Sequence, residues 1–371
     1  MKRPFLPEIT YMRGLCMLGV IAIHVGSYAL SNPLANVQLI SVLEILSRFA
    51  VPAFFFLSAF GLFYHTSVED TFSYKAFMTK RIQVVLWPYL FWSLFYTLYS
   101  GATAHNWAGL MPGPLAVSLL FGTGMYQLYF LVILLWFYLL MPLWRAWVKV
   151  ILKQPIVWLL GIFVVQLIID YISSYTLGRW TTPYVVDQPV LKYLLDMRLN
   201  YWVIHYVWIF LLGAVCAERY ETVQAYMWKY RAYLALAFVI SVAAMLGGYY
   251  YVMGVWHYTL LEAIYTIHQL SPMGLAYTGV GTLFFLFLFA QSPMKASLST
   301  FWEQMGRTSY GMYLIHPLWL IWISAFMAHM NWLYTVPQVV GMYVVAVCAS
   351  FLSTVLMEKA PKGLRRFLLG H

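Results

Sequence analysis

The chain is dominated by about ten apolar runs, each near 20 residues long and separated by short basic or proline-bearing segments. A helix of that length spans about 30 Å of hydrocarbon. Lipid offers no partners to backbone N–H and C=O groups, so only helices or closed barrels cross it. Barrel strands would show short alternating segments, and these runs do not alternate. With 63% hydrophobic and 9% charged residues, the chain is also far from the roughly 25% charge of a soluble domain. The expected fold is therefore all-α: a polytopic bundle of about ten transmembrane helices, residues 1–371 forming a single domain. Spans are expected near 10–30, 42–63, 84–100, 126–144, 155–173, 200–217, 232–253, 273–291, 308–328 and 337–357. The third is short, and 115–125 has the size of a re-entrant or interfacial piece.

The net charge of +10 would cluster on a soluble face in a nucleic-acid binder; here it is distributed between spans. With the N-terminus in the cytoplasm, 18 of the 22 Lys and Arg, beginning with Lys2 and Arg3, fall in inner segments. Only Arg48, Arg179, Lys192 and Arg198 do not. That bias orients the bundle with both termini cytoplasmic. Met1 to Thr10 lead into an apolar run without a small-residue cleavage site, which reads as a retained span. Cys16, Cys216 and Cys348 each stand inside an apolar run and read as small buried hydrophobes, with no disulfide framework or metal spacing. Many of the 16 Trp and 30 Tyr belong to the interfacial belts. The long segment 65–83 is expected inside; 101–125, 174–199 and 254–272, with Pro112, Pro114, Pro183 and Pro189, are expected outside, where they are placed to cap a site.

Arg13 and His24 are eleven positions apart on the first span. That is three helical turns plus about 20°, so both project from one face about 16 Å apart along the axis. Arg13 falls near the cytoplasmic boundary and His24 near mid-membrane. An ionisable group at that depth faces protein or a water-filled cavity. The pair reads either as a tunnel, with Arg13 holding an anion at its mouth and His24 working at its inner end, or as a snorkelling Arg and an unrelated packed His. Glu44 and Arg48 have the i, i+4 spacing of a helical ion pair, and Arg48 equally suits the outer part of a cavity. In Val51-Pro52-Ala53-Phe54-Phe55-Phe56-Leu57-Ser58-Ala59-Phe60-Gly61, proline frees a carbonyl, and Ser58, Ala59 and Gly61 permit close helix contact. Lys80 and Arg81 suit a phosphate-bearing ligand, or anchor the chain by ordinary positive-inside bias. Ser309 and His316 lie seven residues apart on one face of the ninth span, His316 at a depth similar to that of His24. His205, His257, His268 and His329 fall near the outer boundary without metal spacing. No zinc signature, phosphate loop or Gly-x-Ser-x-Gly elbow is present, and no metal is expected.

Arg13-x10-His24, the Val-Pro-Ala-Phe-Phe-Phe-Leu-Ser segment, Lys80-Arg81 with Pro88-Tyr-Leu-Phe-Trp-Ser93, Tyr129-Phe130-Leu followed by Tyr138-Leu-Leu-Met-Pro142, and Ser309-Tyr-Gly-Met-Tyr-Leu-Ile-His316-Pro-Leu318 occur in that order. Together they resemble the membrane-bound acyltransferase 3 family over nearly the whole chain. The resemblance implies about ten spans, acyl-coenzyme A, usually acetyl-CoA, as cytoplasmic donor, and sugars of cell-surface polysaccharides as acceptors. It implies that Arg13 and His24 are the essential pair and that Ser58 and Arg81 belong to donor-side motifs. Ala59, Val84 and Gln127 stand where Gly, a second Arg and His are usual. These departures resemble the Gram-positive branch that includes the membrane protein of the intercellular adhesin polysaccharide system. No hydrolase-like extracytoplasmic domain is appended, so the bundle itself is expected to complete transfer.

The expected function is thus an O-acyltransferase in a bacterial plasma membrane. Arg13, Lys80, Arg81 and Ser58 bind the donor. His24 acts as general base or transient acyl carrier, and His316 or Ser309 orients the acceptor or polarises the carbonyl. The expected partners are the lipid bilayer, a carbohydrate acceptor and other polysaccharide-biosynthesis membrane proteins, not nucleic acid. A transporter or flippase for a lipid-linked sugar is the competing reading.

Overall fold

The computed structural model describes residues 3–291 and 294–371; Lys2, counted above among the inner cations, lies outside the described residues. Among these residues there are helices and no strands. Along the chain the long helices are α1 (Pro7–Ala29), α2 (Val37–His65), α3 (Trp87–Ala104), the pair α4 (Tyr129–Leu139) and α5 (Met141–Ile151), α6 (Pro155–Val185), the pair α7 (Val203–Glu218) and α8 (Tyr220–Lys229), α9 (Arg231–Gly254), α10 (Pro272–Ala290), α11 (Ala296–His329) and α12 (Val336–Glu358). Among the described residues seven helices are long and apolar enough to cross a bilayer, and up to nine are if each pair, bent by 70° and 99°, counts as one span. The chain is a multi-pass helical membrane protein. Expected span 84–100 corresponds to α3, an 18-residue helix that falls outside the nine. Trp, Tyr, Ser and Thr make it less apolar, and it buries Tyr89, Trp92, Ser93 and Tyr96.

Several loops hold more helix than their composition suggests. The segment 174–199 is mostly helical, because α6 continues to Val185 and Pro189–Asp196 forms a further eight-residue helix. The stretch 115–125 overlaps a ten-residue helix, Pro112–Phe121. In 254–272 the helix Leu260–Thr266 starts with a full capping box between Thr259 and Glu262, which closes two open N–H groups reciprocally. Cys16 and Cys216 are buried as expected, whereas Cys348 is exposed on α12, where a thiol behaves as one more apolar side chain.

The helix α1 is central: it packs on α2, α10, α11 and α12. Its crossing with α11 is tight because both helices present glycine. A Cβ on Gly14 would lie 2.9 Å from that of Met305, and one on Gly306 would collide with the Thr10 carbonyl. Small residues at a membrane crossing let backbones approach in this way. The crossing sits beside Arg13 and three residues before Ser309, so it sets their separation.

Three π segments interrupt the helices: Ser41–Ile45, Ile82–Leu86 and Ile172–Thr176. Such bulges concentrate at functional sites. Here they contain or follow Glu44, Arg81 and Asp170. The first runs into a 3-10 turn (Leu46–Phe49), just before Pro52, which lacks an N–H and leaves the Arg48 carbonyl without its usual donor.

At the end of the bundle that holds the start of α1, Arg145 binds the carbonyls of Thr66, Ser67, Val68 and Asp70 at 2.8–3.2 Å. Its guanidinium also lies 4.6 Å from the Phe72 ring. Glu218 accepts from Ser67 Oγ and the Val68 N–H, both at 2.7 Å, and Arg3 donates to the Ala217 carbonyl at 2.8 Å. These contacts tie loop 66–72 to α5 and α7.

Candidate functional site: two cavities along the first helix

Two cavities line the polar face of α1. One, of about 740 Å³, is lined by Arg13, Ser58, Gly61, Arg81, Tyr138 and Ser309 among others. The second, of about 510 Å³, is lined by His24, Ser27, Glu44, Arg48, Gln127 and Gln269 among others. Phe54, Phe130 and Tyr313 line both. Their rings interlock edge to face, with Phe54–Phe130 at 6.1 Å and Phe130–Tyr313 at 5.7 Å. The spacing of Arg13 and His24 suggests one tunnel; the structure divides it at an aromatic septum. Both side chains face cavities.

In the first cavity Arg13 has no carboxylate within 4 Å among the described residues. A Cβ on Gly61 would lie 3.5 Å from its Nη2, so the glycine leaves room for the guanidinium. Arg81 also has no ion pair among the described residues. It lies over Phe77 and Tyr138 at 5.3 and 5.5 Å, and Tyr138 shares a 3.2 Å hydrogen bond with Ser58 Oγ. Ser309 is buried and donates to the Gly306 carbonyl at 2.8 Å. Lys80 lines a neighbouring groove of about 400 Å³, which shares Gly61, His65 and Arg81 with the cavity. Arg13, Ser58, Arg81 and Ser309 therefore come together, with Lys80 adjoining.

The second cavity lies nearer the far end of α1, five residues before Ala29, where Leu30, Ser31, Leu261 and Tyr265 line it. The His24 ring lies 4.3 Å from Tyr126 and 5.3 Å from His316, the two imidazoles stacked within 26°. His316 is fully buried, and its Nδ1 contacts the Tyr313 carbonyl at 2.8 Å and that of Met312 at 3.2 Å. Carbonyls only accept, so Nδ1 carries the proton and Nε2 the lone pair. The next residue explains why. Pro317 lacks the N–H that would bond the Tyr313 carbonyl, and His316 takes up the freed acceptor. Nε2 has no partner. Ser309 and His316, expected to share one site, instead line or adjoin opposite sides of the Tyr313 septum.

Glu44 and Arg48 fulfil both expectations, ion pair and cavity wall. Arg48 Nη2 meets Glu44 Oε2 at 2.9 Å, Nη1 donates to Gln269 Oε1 at 3.2 Å, and Ser27 Oγ donates to Glu44 Oε1 at 2.6 Å. Gln127 is buried with both amide atoms unpartnered. Its backbone carbonyl accepts from Tyr313 OH. Sequence reasoning missed Tyr126, Ser27 and Gln269, and it named Gln127 and Tyr138 only within family motifs, without a role in a cavity. No periodicity separates such residues from belt aromatics and loop polars, although the Pro52 signal marked the region of Glu44 and Arg48.

A third cluster has the connectivity of a hydrolytic triad. Asp170 Oδ1 lies 2.8 Å from His205 Nδ1, and His205 Nε2 lies 3.3 Å from Ser173 Oγ. None of the three lines either cavity, each is at most 2% exposed, and Arg198 Nε occupies the approach to Ser173 Oγ at 3.1 Å. With no room for a substrate, the cluster is a buried structural network joining α6 to the start of α7. His205 is thus a core residue and not, as its position in sequence suggests, a loop or interface one. His257 and His329 are exposed and His268 is half-buried. Among the described residues no three His, Cys, Asp or Glu side chains are grouped to hold a metal ion.

No curated protein and no solved structure matches the chain. The family model described as acyltransferase domain, acyltransferase 3, matches residues 6–355. That match contains all of both cavities' lining side chains except Phe5, Glu358 and His371. The chain belongs to the acyltransferase 3 family and is a membrane acyltransferase.

Proposed function

We propose that the protein moves an acyl group, acetyl in the first instance, from cytoplasmic acyl-coenzyme A to a sugar hydroxyl of a surface polysaccharide or its lipid-linked precursor. Both termini face the cytoplasm of a bacterial plasma membrane, as the Lys and Arg distribution favours. The observation that carries the reading is the pair of cavities on one face of α1, the first with unpaired cations and the second with an imidazole, meeting at one aromatic septum. Arg13 and Arg81 are available to phosphate oxygens because neither has a carboxylate within 4 Å among the described residues, Glu303 and Glu358 lining the same cavity farther off, and Arg suits bidentate contact. Lys80 extends that positive surface. Ser58 and Ser309 line the route of the pantetheine arm, whose length matches the separation of about 16 Å between Arg13 and His24.

At the septum the thioester carbonyl meets the second cavity. His24 takes the proton of the acceptor hydroxyl as its oxygen attacks the carbonyl carbon. The tetrahedral adduct collapses with cleavage of the C–S bond, and the thiolate recovers the proton from the imidazolium. The products are an O-acyl ester and the free thiol. His316 is a positioning residue: its ring, fixed by the Tyr313 carbonyl, stacks on His24 and limits its orientation. Holding two reactants in register is worth several kcal/mol of barrier.

Purified protein in nanodiscs, supplied with radiolabelled acetyl-CoA and an oligosaccharide, tests the reading. Label is expected on the sugar as an ester, and lost with His24→Ala or Arg13→Ala proteins that retain wild-type melting. Wild-type turnover by both variants contradicts it. Movement of unmodified sugar between leaflets, without ester formation, establishes the transporter reading instead.

A further inference from the structure

The charge distribution of the two cavities differs in a way that bears on the acceptor. Among the side chains lining the His24 cavity, only Glu44 and Arg48 carry formal charge, and they neutralise each other at 2.9 Å. Glu44 is 1% exposed, and the Arg48 side chain 15%. A buried pair of this kind cannot give up one member cheaply, because the other is left as an uncompensated charge. Each partner is also fixed by a neutral donor or acceptor, Ser27 on Glu44 and Gln269 on Arg48. The Arg13 cavity is built differently: Glu303, Arg307 and Glu358 also line it, with Arg307 paired to Glu303 at 3.8 Å, but Arg13 and Arg81 have no carboxylate within 4 Å among the described residues.

We infer that the His24 cavity selects an uncharged polyhydroxyl acceptor, a neutral sugar, over one bearing a carboxylate or phosphate, and that the Glu44–Arg48 pair is the selectivity element. This rests on the proposed function of the cavity. An anionic acceptor would either face the Glu44 carboxylate or have to pull Arg48 away from it. A neutral sugar avoids that conflict. Its hydroxyls can both donate and accept, and the wall offers matched groups: the Glu44 carboxylate, the Arg48 guanidinium, the Gln127 and Gln269 amides and Ser27. Gln127 enters with both amide atoms unpartnered and the residue 2% exposed, a buried amide whose hydrogen bonds remain to be made. Tyr129 and Tyr265 supply ring surface for the apolar faces of a sugar. At about 510 Å³ the cavity falls within the size range of small-ligand sites, about 300–1,000 Å³.

The experiment compares two oligosaccharides differing only by a uronate in place of a neutral hexose, in direct binding to the protein in nanodiscs and, separately, in acyl transfer from acetyl-CoA. Wild type is expected to bind and use the neutral sugar at least about tenfold better, the scale of one charged hydrogen bond. Glu44→Gln frees Arg48 and is expected to abolish or reverse that preference. Glu44→Gln/Arg48→Gln, which restores neutrality and keeps the protein testable if the single variant misfolds, removes both the repelling carboxylate and the engaged guanidinium and is expected to shrink the preference severalfold; full retention of it there overturns the role of the pair. Equal or better binding of the uronate by wild type overturns the inference, as does binding of neither sugar. Selective binding of the neutral sugar without ester formation supports the inference and counts against the acyltransfer assignment of the cavity. Transfer without selectivity does the reverse.

Discussion

The imidazoles of His24 and His316, brought together from α1 and α11, stack with centroids 5.3 Å apart. The second ring is held through Nδ1 by the carbonyl that Pro317 leaves free, so a backbone defect in one helix orients the base proposed on another. A substitution outside the cavity lining should therefore change the chemistry. Pro317→Ala restores an N–H that competes for the Tyr313 carbonyl. A helix interior gains up to about 3 kcal/mol when proline is removed. The expected outcome is a higher melting temperature together with a roughly tenfold or greater loss of kcat, a pairing that general damage does not produce. Unchanged kcat in the stabilised variant would remove the positioning role of His316.

Arg13→Gln and Arg81→Gln each take an unpaired cation from the larger cavity. A charge-assisted hydrogen bond contributes about 1.5–3 kcal/mol. If phosphates dock there, each variant should raise the KM for acyl-CoA by roughly 10–100-fold while leaving the KM for the sugar acceptor unchanged. Isothermal titration with desulfo-coenzyme A checks the same point without catalysis. Wild-type affinity in both variants would move the donor site elsewhere.

Phe130 belongs to both cavities and touches Phe54 and Tyr313. Phe130→Ala should open the septum at a cost of about 3–5 kcal/mol in stability if the gap does not collapse. Water then reaches the thioester, and hydrolysis of acetyl-CoA without acceptor should increase severalfold. Release of free thiol, followed with a chromogenic disulfide in the absence of sugar, measures it. A fall in hydrolysis would mean that the ring positions the thioester and does not shield it.

The Asp170–His205–Ser173 network should respond in the opposite manner. Removing one member of a buried pair leaves the other uncompensated, at about 3–5 kcal/mol. Asp170→Ala is expected to lower the melting temperature strongly while the protein that remains folded keeps wild-type kcat and KM. A variant of normal stability and lost activity would make the cluster catalytic.

How far the sequence could be read follows from the physics each feature obeys. Apolar run length located the spans, because hydrocarbon thickness is a single number, and it failed to mark α3 as less apolar because its aromatic residues count as hydrophobic. The common face of Arg13 and His24 follows from helical pitch alone. Their division into two cavities does not, since it depends on Phe54, Phe130 and Tyr313 from three other helices. Pro52 was visible as a break, whereas Pro317 appeared only as part of a motif. That the first adjoins the Glu44–Arg48 pair and the second locks His316 required knowing which donors lay nearby. His205 looked like an interfacial residue because its partners, Asp170 and Ser173, are more than thirty positions earlier and belong to a helix longer than expected.

The central claim is that a thioester entering beside Arg13 and a hydroxyl entering beside His24 meet from opposite faces of the bundle. Sealed proteoliposomes of one orientation, with labelled acetyl-CoA restricted to the Arg13 side and a membrane-impermeant neutral oligosaccharide restricted to the other, test it most directly. The account expects acetyl ester on the sugar across the membrane, abolished by His24→Ala. Ester formed only when both substrates share one compartment would contradict it.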